Sequence, residues 1–186
     1  MVHIGNAPPA LDEILPLLEA GDVVSHAFHG KAGGIYRNEG LIPEAEAALE
    51  REVLFDLAHG QSSFSFTVAR RFLAEGRLPG IISSDLWRGN ETGPVFSLLH
   101  TMTKLYYLGM PLGEVVAAAT WRPAIVLGRE GELGSLAPGR VADLSLIELA
   151  RGEFHLVDSE GLSVTAPFLM KPALTIRNGE ILWPGK

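Results

Sequence analysis

Four apolar stretches of the chain each run into residues that can ligate a cation or move a proton. "VHIG" carries His3, and "DVVSHAF" carries His26, with His29 in the loop beyond it. "VLFDLA" carries Asp56 with His59 just after, and "PGIISSDL" ends in Ser83, Ser84 and Asp85. A histidine at the end of one strand is ordinarily structural, so His29 and His59 taken singly suit that reading. Asp56 and Asp85 taken singly suit loop caps. Four strands in succession delivering such groups to one edge suit metal-assisted hydrolysis better. In that chemistry neutral imidazoles hold a divalent ion that acidifies water and polarises a carbonyl, and a carboxylate carries the proton to the leaving group. His3 and His26 are then the metal ligands from neighbouring strands. Asp85 is ligand, base or both, and His59 can hydrogen-bond a substrate carbonyl or charged group. The chain has no cysteine, so any metal sits on His, Asp or Glu, which suits Zn, Mn, Ni or Fe, with zinc the expected ion.

The elements between these stretches have helical spacing. Residues 11–20 place Leu11, Ile14, Leu15 and Leu18 on one face, weakened by Pro16. Residues 43–51 begin with Pro43, a good first helical residue, and residues 64–76 close on Gly76. Residues 94–109 and 111–128 read as two further helices, each ending in glycine. Strands at 2–5, 22–28, 53–58 and 79–86 alternating with helices predict right-handed βαβ units and a parallel sheet, which binds ligands at the carboxyl ends of its strands. From about Glu132 the texture turns to β. "ADLSLIEL", "EFHLVDS", "LSVTA" and "ALTIRNGEILW" follow one another, with Asn178-Gly179 a hairpin turn, and predict a small sheet separate from the α/β part.

Composition narrows the partners. Lys and Arg number 15 against 22 Asp and Glu, a formal charge of −7, which disfavours nucleic acid and anionic membranes. No apolar run reaches the roughly 18–20 residues of a membrane span, and the first basic residue is Lys31, which does not suit a secretory signal. The expectation is a soluble, cytoplasmic protein that acts on a small molecule.

Taken in order, these stretches resemble the second half of an amidohydrolase-superfamily barrel. "VHIGNAPP" is similar to the end of that barrel's fifth strand and "GDVVSHAFHGKAGG" to its sixth, whose histidines, here His3 and His26, bind one metal of a binuclear centre. "VLFDLAHGQSSFSF" resembles the seventh strand and its loop. "GIISSDL" resembles the eighth, whose aspartate, here Asp85, binds the other metal and shuttles the proton. "TWRPAIVLG" and "GSLAPGRVADLSLIEL" resemble the passage into the superfamily's β-sandwich. The loop wording is closest in kind to the deacetylase and dihydroorotase-like branch. The resemblance implies an α/β fold, with residues 1–130 the C-terminal half of a (β/α)8 TIM barrel, about four βα units, and residues 131–186 the C-terminal part of a small β-sandwich. It also implies hydrolysis of an amide or small acyl ester on a small polar molecule. Among residues near the strand ends, Lys31 suits an anionic substrate group, unless it is an ordinary solvated lysine. Arg88 and Asn90 suit the pocket mouth, Arg88 as a partner for a substrate carboxylate. His100, His155, Asp143, Tyr106 and Tyr107 read as structural.

The superfamily's first strand supplies a His-x-His pair and its fourth a bridging carboxylated lysine; this sequence contains no His-x-His. His26 and His29, three apart, cannot replace it on one strand face. The chain therefore reads as the C-terminal portion of a longer protein, inactive by itself. A competing reading is a non-catalytic scaffold that keeps the fold. A flavodoxin-like ligand-binding domain is the weakest, because Pro8 and Pro9 remove the N–H groups a phosphate loop needs. Half a barrel leaves two edge strands open, so homo-oligomerisation through those edges, or poor solubility, is the expected behaviour; small-angle scattering from a monodisperse monomer would contradict it.

Overall fold

In the computed structural model, which describes residues 1–37 and 40–183, the first part of the chain builds the expected parallel sheet. Strands β1 (Val2–His3), β2 (Val23–Ser25) and β5 (Leu54–Phe55) lie in that order, Val2 opposite Val24 and Val24 opposite Phe55. The anticipated fourth strand is reduced to one parallel bridge, Asp56 to Ile81. The ladder continues past it, however: Leu57 N–H donates to Ile81 O at 3.0 Å, His59 N–H to Ser83 O at 3.3 Å and Gly60 N–H to Ser84 O at 3.1 Å. All four segments thus reach the same edge. Val23, Val24, Phe55, Ile81 and Ile82 are buried, as residues of a parallel sheet covered by helices must be. A two-residue antiparallel pair, β3 (Tyr36–Arg37) and β4 (Gly40–Leu41), follows β2.

The helices differ from expectation where proline or a cap intervenes. The helix expected over 11–20 is one turn, α1 (Leu11–Ile14), continued as a 3-10 turn at Leu15–Leu17, because Pro16 offers no N–H to an α-type ladder. Helix α2 (Pro43–Glu50) begins at its proline as predicted, and α3 spans Phe66–Ala74. Helix α4 (Leu98–Tyr107) starts four residues later than predicted, since Ser97 Oγ caps it by accepting the His100 N–H at 3.0 Å. The single helix expected over 111–128 breaks at Thr120 (φ −133°, ψ −73°) into α5 (Leu112–Ala119) and α6 (Trp121–Val126). Pro123 then falls in the first turn of α6, where its missing N–H costs nothing.

The β tail has longer strands than predicted. "ADLSLIEL" and "EFHLVDS" contribute to one strand, β6 (Leu144–Val157), carried past Gly152 by a register irregularity. β7 (Ser163–Arg177) and β8 (Glu180–Trp183) complete one antiparallel sheet in the order β6-β7-β8. Asn178 (φ 48°) and Gly179 (φ 82°) make the tight turn that their sequence announces.

Nor is this sheet separate from the α/β part. Leu156, Ala166 and Met170 belong to the same core as Phe28, Phe55 and Phe72. Met170 N–H donates to Thr103 Oγ1 of α4 at 3.1 Å, and the Phe168 ring meets Tyr106 at 4.9 Å. The tip of the β6–β7 hairpin also builds the start of α3. Ser65 makes no side-chain cap there. Instead Asp158, buried, accepts Phe66 N–H on one oxygen at 2.9 Å and the Glu160 and Leu162 N–H groups on the other, both at 2.9 Å. Asp158→Ala strands three backbone donors, and is expected to lower unfolding free energy by roughly 3 kcal/mol; an unchanged urea midpoint would contradict this cross-domain cap.

Candidate active site

His3 ends β1, and His26 follows the last residue of β2 on the adjacent strand. His26 adopts φ 66°, a left-handed conformation costly for a residue with a Cβ, which turns the chain sharply off the strand. Its Nδ1–H donates to Ala58 O at 2.8 Å, fixing the tautomer and leaving the Nε2 lone pair free. That Nε2 faces His3 Nδ1 at 3.2 Å, with ring centroids 5.2 Å apart. Two nitrogens of a tetrahedral zinc site, each about 2.05 Å from the ion, lie about 3.3 Å apart. The pair therefore fits a shared divalent cation, and the Ala58 carbonyl is the type of outer partner that orients a metal-binding imidazole.

Asp85, also left-handed (φ 47°), extends from the end of the fourth segment. A Cβ at Gly60 would lie 2.6 Å from Asp85 Oδ2, so glycine there is what lets the carboxylate sit over the neighbouring loop. Asn90, fully buried, holds the turn: its Nδ2 donates to Asp85 O at 3.0 Å and its Oδ1 accepts Trp87 N–H at 2.9 Å. His3, His26 and Asp85 line both of two adjoining clefts. One is walled by apolar Ile82, Leu98, Val126 and Leu127, the other by polar Asn6, Lys31, Gln61 and Ser62 with Trp87. Among the described residues no three His, Asp or Glu side chains close into a single metal cluster; Asp85 shares the cleft without completing one.

The structure brings Lys31 to the polar cleft but not His59, Arg88 or Asn90. Arg88 is exposed and lines neither cleft, and Asn90 braces the Asp85 turn from beneath. His59 is wholly buried. Its Nδ1–H donates to Gly60 O at 2.9 Å, and its Nε2 accepts from Lys104 Nζ at 2.6 Å, so neither nitrogen is offered to a substrate. Lys104 is the residue that sequence reasoning missed. It is buried in α4, donating also to Pro94 O at 2.8 Å and Val157 O at 2.7 Å. Its one signal is being the sole formal charge in "LLHTMTKLYY". Asp56 is a clamp and not a ligand: Ser83 Oγ, Ser83 N–H, Ala58 N–H and Ser25 Oγ all donate to it. His100, its ring tilted against Phe96, and His155, on the β sheet, line neither cleft.

The Amidohydrolase family matches residues 66–182. The chain belongs to the amidohydrolase family. A deacetylase of Enterococcus faecalis is 41% identical over 97% of this chain and 50% of its own length. A deacetylase of Agrobacterium fabrum is 37% identical over 98% of this chain and 45% of its own. Among solved structures, an adenine deaminase superposes with TM-score 0.93 at 40% identity, covering 97% of this chain and 50% of that one. A dihydroorotase superposes with TM-score 0.89 at 37% identity, covering 97% and 47%. The amidohydrolase chain thus spans about half the length of the relatives it matches.

The His59–Lys104 contact has a consequence for stability. Burial, and then the Lys104 charge, pull the His59 pKa down from 6.5 to about 3; burial pulls Lys104 from 10.5 to about 7. Below pH 6.5 the unfolded chain takes up a proton that folded His59 refuses until about pH 3, so stability falls across that window by up to about 1.4 kcal/mol per pH unit. Between pH 7 and 10.5 the unfolded lysine is the more protonated, so stability rises. Urea midpoints measured against pH should show both slopes, and His59→Gln should flatten the acid one. An acid slope that survives the substitution intact would assign it to other groups, such as His100, whose pKa burial lowers to about 4.

Proposed function

We propose that this part of the amidohydrolase chain carries one side of a metal-dependent active site for hydrolysis of an amide, or small acyl ester, on a small polar molecule. The observation that carries the reading is the His3 Nδ1 to His26 Nε2 approach of 3.2 Å at the ends of adjacent parallel strands, with Asp85 in the same cleft. His3 and His26 would hold a divalent cation, zinc by preference of imidazole nitrogen. When bound, the cation supplies Lewis-acid polarisation of a carbonyl and lowers the pKa of water. The chain's own work is to hold that ion and move the proton. The Asp85 carboxylate accepts the proton of the attacking water and delivers it to the departing nitrogen or oxygen, as general base and then general acid. The name deacetylase borne by relatives covering nearly all of this chain supports a small acyl group as the part removed.

The wider assignment follows from the same comparison. Relatives of about twice the length support reading the parallel segments as half of a (β/α)8 barrel whose other half supplies the remaining ligands. Two imidazoles without a third ligand support weak metal binding and no turnover by these residues alone. Open sheet edges support association with a second copy.

Calorimetric titration of the chain with zinc should show one weak site that His26→Ala removes. Binding that persists in a His3→Ala/His26→Ala double variant would sink the metal assignment. In the form that turns over acylated substrates, Asp85→Asn should cut kcat at least about a hundredfold with the circular dichroism spectrum unchanged.

A further inference from the structure

Lys104 is fully buried, lines neither cleft and takes part in no ion pair among the described residues. Its ammonium donates instead to three neutral acceptors: His59 Nε2 at 2.6 Å, Val157 O at 2.7 Å and Pro94 O at 2.8 Å. An ammonium buried without an opposite charge is costly even when its hydrogens are taken, and a methionine of similar length would fill the same space without desolvating a charge. What the charge holds accounts for its presence. Two of its three hydrogen bonds begin routes that both end at Asp85.

The first route runs beneath the carboxylate. His59 Nδ1–H donates to Gly60 O at 2.9 Å, so the ring that Lys104 grips sets the position of Gly60. Gly60 N–H donates in turn to the carbonyl of Ser84, the residue before Asp85, at 3.1 Å. Gly60, at φ 52°, lies against the Asp85 side chain: a Cβ there would stand 2.6 Å from Oδ2 and 3.6 Å from Cγ. The second route runs behind the main chain. Gly93 N–H and Phe96 N–H, on either side of Pro94, both donate to Asn90 O at 3.2 Å. Asn90, fully buried, donates from Nδ2 to Asp85 O at 3.0 Å. Held at its carbonyl and at its carboxylate, Asp85 keeps its left-handed φ of 47°. His59, Gly60, Pro94 and Asn90 line neither cleft.

We propose that Lys104 is a positioning residue for Asp85, acting on the carboxylate through His59 and Gly60 and on the main chain through Pro94 and Asn90. It touches no reacting atom. Proton transfer needs the carboxylate within hydrogen-bonding reach of its partner, and a misplacement of about 1 Å can cost about a hundredfold in rate. Lys104 thus acts on the rate of the chemical step and leaves the cleft lining, and with it substrate and metal affinity, unchanged. That this serves hydrolysis rests on the hydrolase reading. The linkage from Lys104 to Asp85 does not, and the test separates the two.

The test is Lys104→Met, with His59→Phe as a second variant that keeps a ring against Phe64 and cuts the first route alone. In the chain itself, 15N NMR should show the Gly60 amide and the Asn90 side-chain amide displaced by Lys104→Met, with zinc affinity within about twofold of the parent chain. In the form that turns over acylated substrates, either variant should lower kcat at least about tenfold with KM changed less than about threefold. Added to Asp85→Asn, either should cost less than about twofold more, because the group it positions is already gone. Resonances of Gly60 and Asn90 left in place, a defect that adds in full to Asp85→Asn, or a loss confined to KM would overturn the positioning role. Should Lys104→Met not fold, the same kcat loss and the same non-additivity in His59→Phe decide for the role, and their absence decides against it. Displaced resonances with no turnover in any form of the protein leave the linkage standing and remove the hydrolase. Turnover unchanged by both variants leaves the hydrolase standing and removes the role of Lys104.

Discussion

Everything at the edge of the parallel sheet hangs on one buried carboxylate in the lining of the apolar-walled cleft. Asp56 is 2% exposed and receives four donors: Ser83 Oγ at 2.8 Å, Ser83 N–H at 3.1 Å, Ala58 N–H at 3.3 Å and Ser25 Oγ at 3.4 Å. Burial raises its pKa while those donors oppose the shift. The donors come from three separate segments of the chain, so one side chain sets their levels along the sheet axis. His26 follows Ser25, Asp85 stands two residues past Ser83, and Ala58 supplies the carbonyl that orients the His26 ring. The fourth segment is too irregular to count as a strand, yet its end is placed because Asp56 holds it by both backbone and side chain.

Lys104 does for the far side what Asp56 does for the near side. A buried ammonium is expensive unless its hydrogens are taken, and here three acceptors take them: the His59 ring, the Pro94 carbonyl and the last carbonyl of β6. These belong to the loop after β5, the approach to α4 and the β tail, so the charge ties together three parts of the fold far apart in sequence. With the Asp158 cap on α3, this makes the tail an integral wall of the α/β unit. A β segment that reads as an appendage in sequence is thereby needed to keep the loop carrying Gly60, and hence Asp85, in place.

How much of this was legible depended on range. Periodicity and turn chemistry act locally, so the order of strands and helices, the Pro43 helix start and the Asn178-Gly179 turn could be read directly. The edge that gathers His3, His26 and Asp85 was legible because parallel strands all end on one side. His59 was not. In sequence it is as good a strand-end histidine as His26, and what separates them is Lys104, 45 residues further on. His26 gives one nitrogen to a carbonyl and turns the other to His3 at the cleft; His59 has both engaged inside the core. The union of tail segments into two long strands was hidden for a related reason: Gly152 and Pro172 look like breaks, and only the pairing of β6 with β7 absorbs them as irregularities.

Backbone strain shows where the fold spends that stability. Three residues at the sheet edge, His26, Ala58 and Asp85, hold left-handed φ values of 66°, 37° and 47° without being glycine. Each such conformation costs on the order of 1 kcal/mol or more, and persists only where the surroundings determine it. Here the surroundings are named: Ala58 is pinned through its N–H to Asp56 and its carbonyl to His26, and Asp85 through its carbonyl to Asn90. A regular strand would send successive side chains to alternate faces and carry these groups past one another. Breaking the strand conformation at the same level on neighbouring segments instead leaves His26 facing His3 and lays the Asp85 carboxylate over Gly60. The strain is therefore placed where convergence is needed, and the buried polar clamps beneath it are what make that placement affordable.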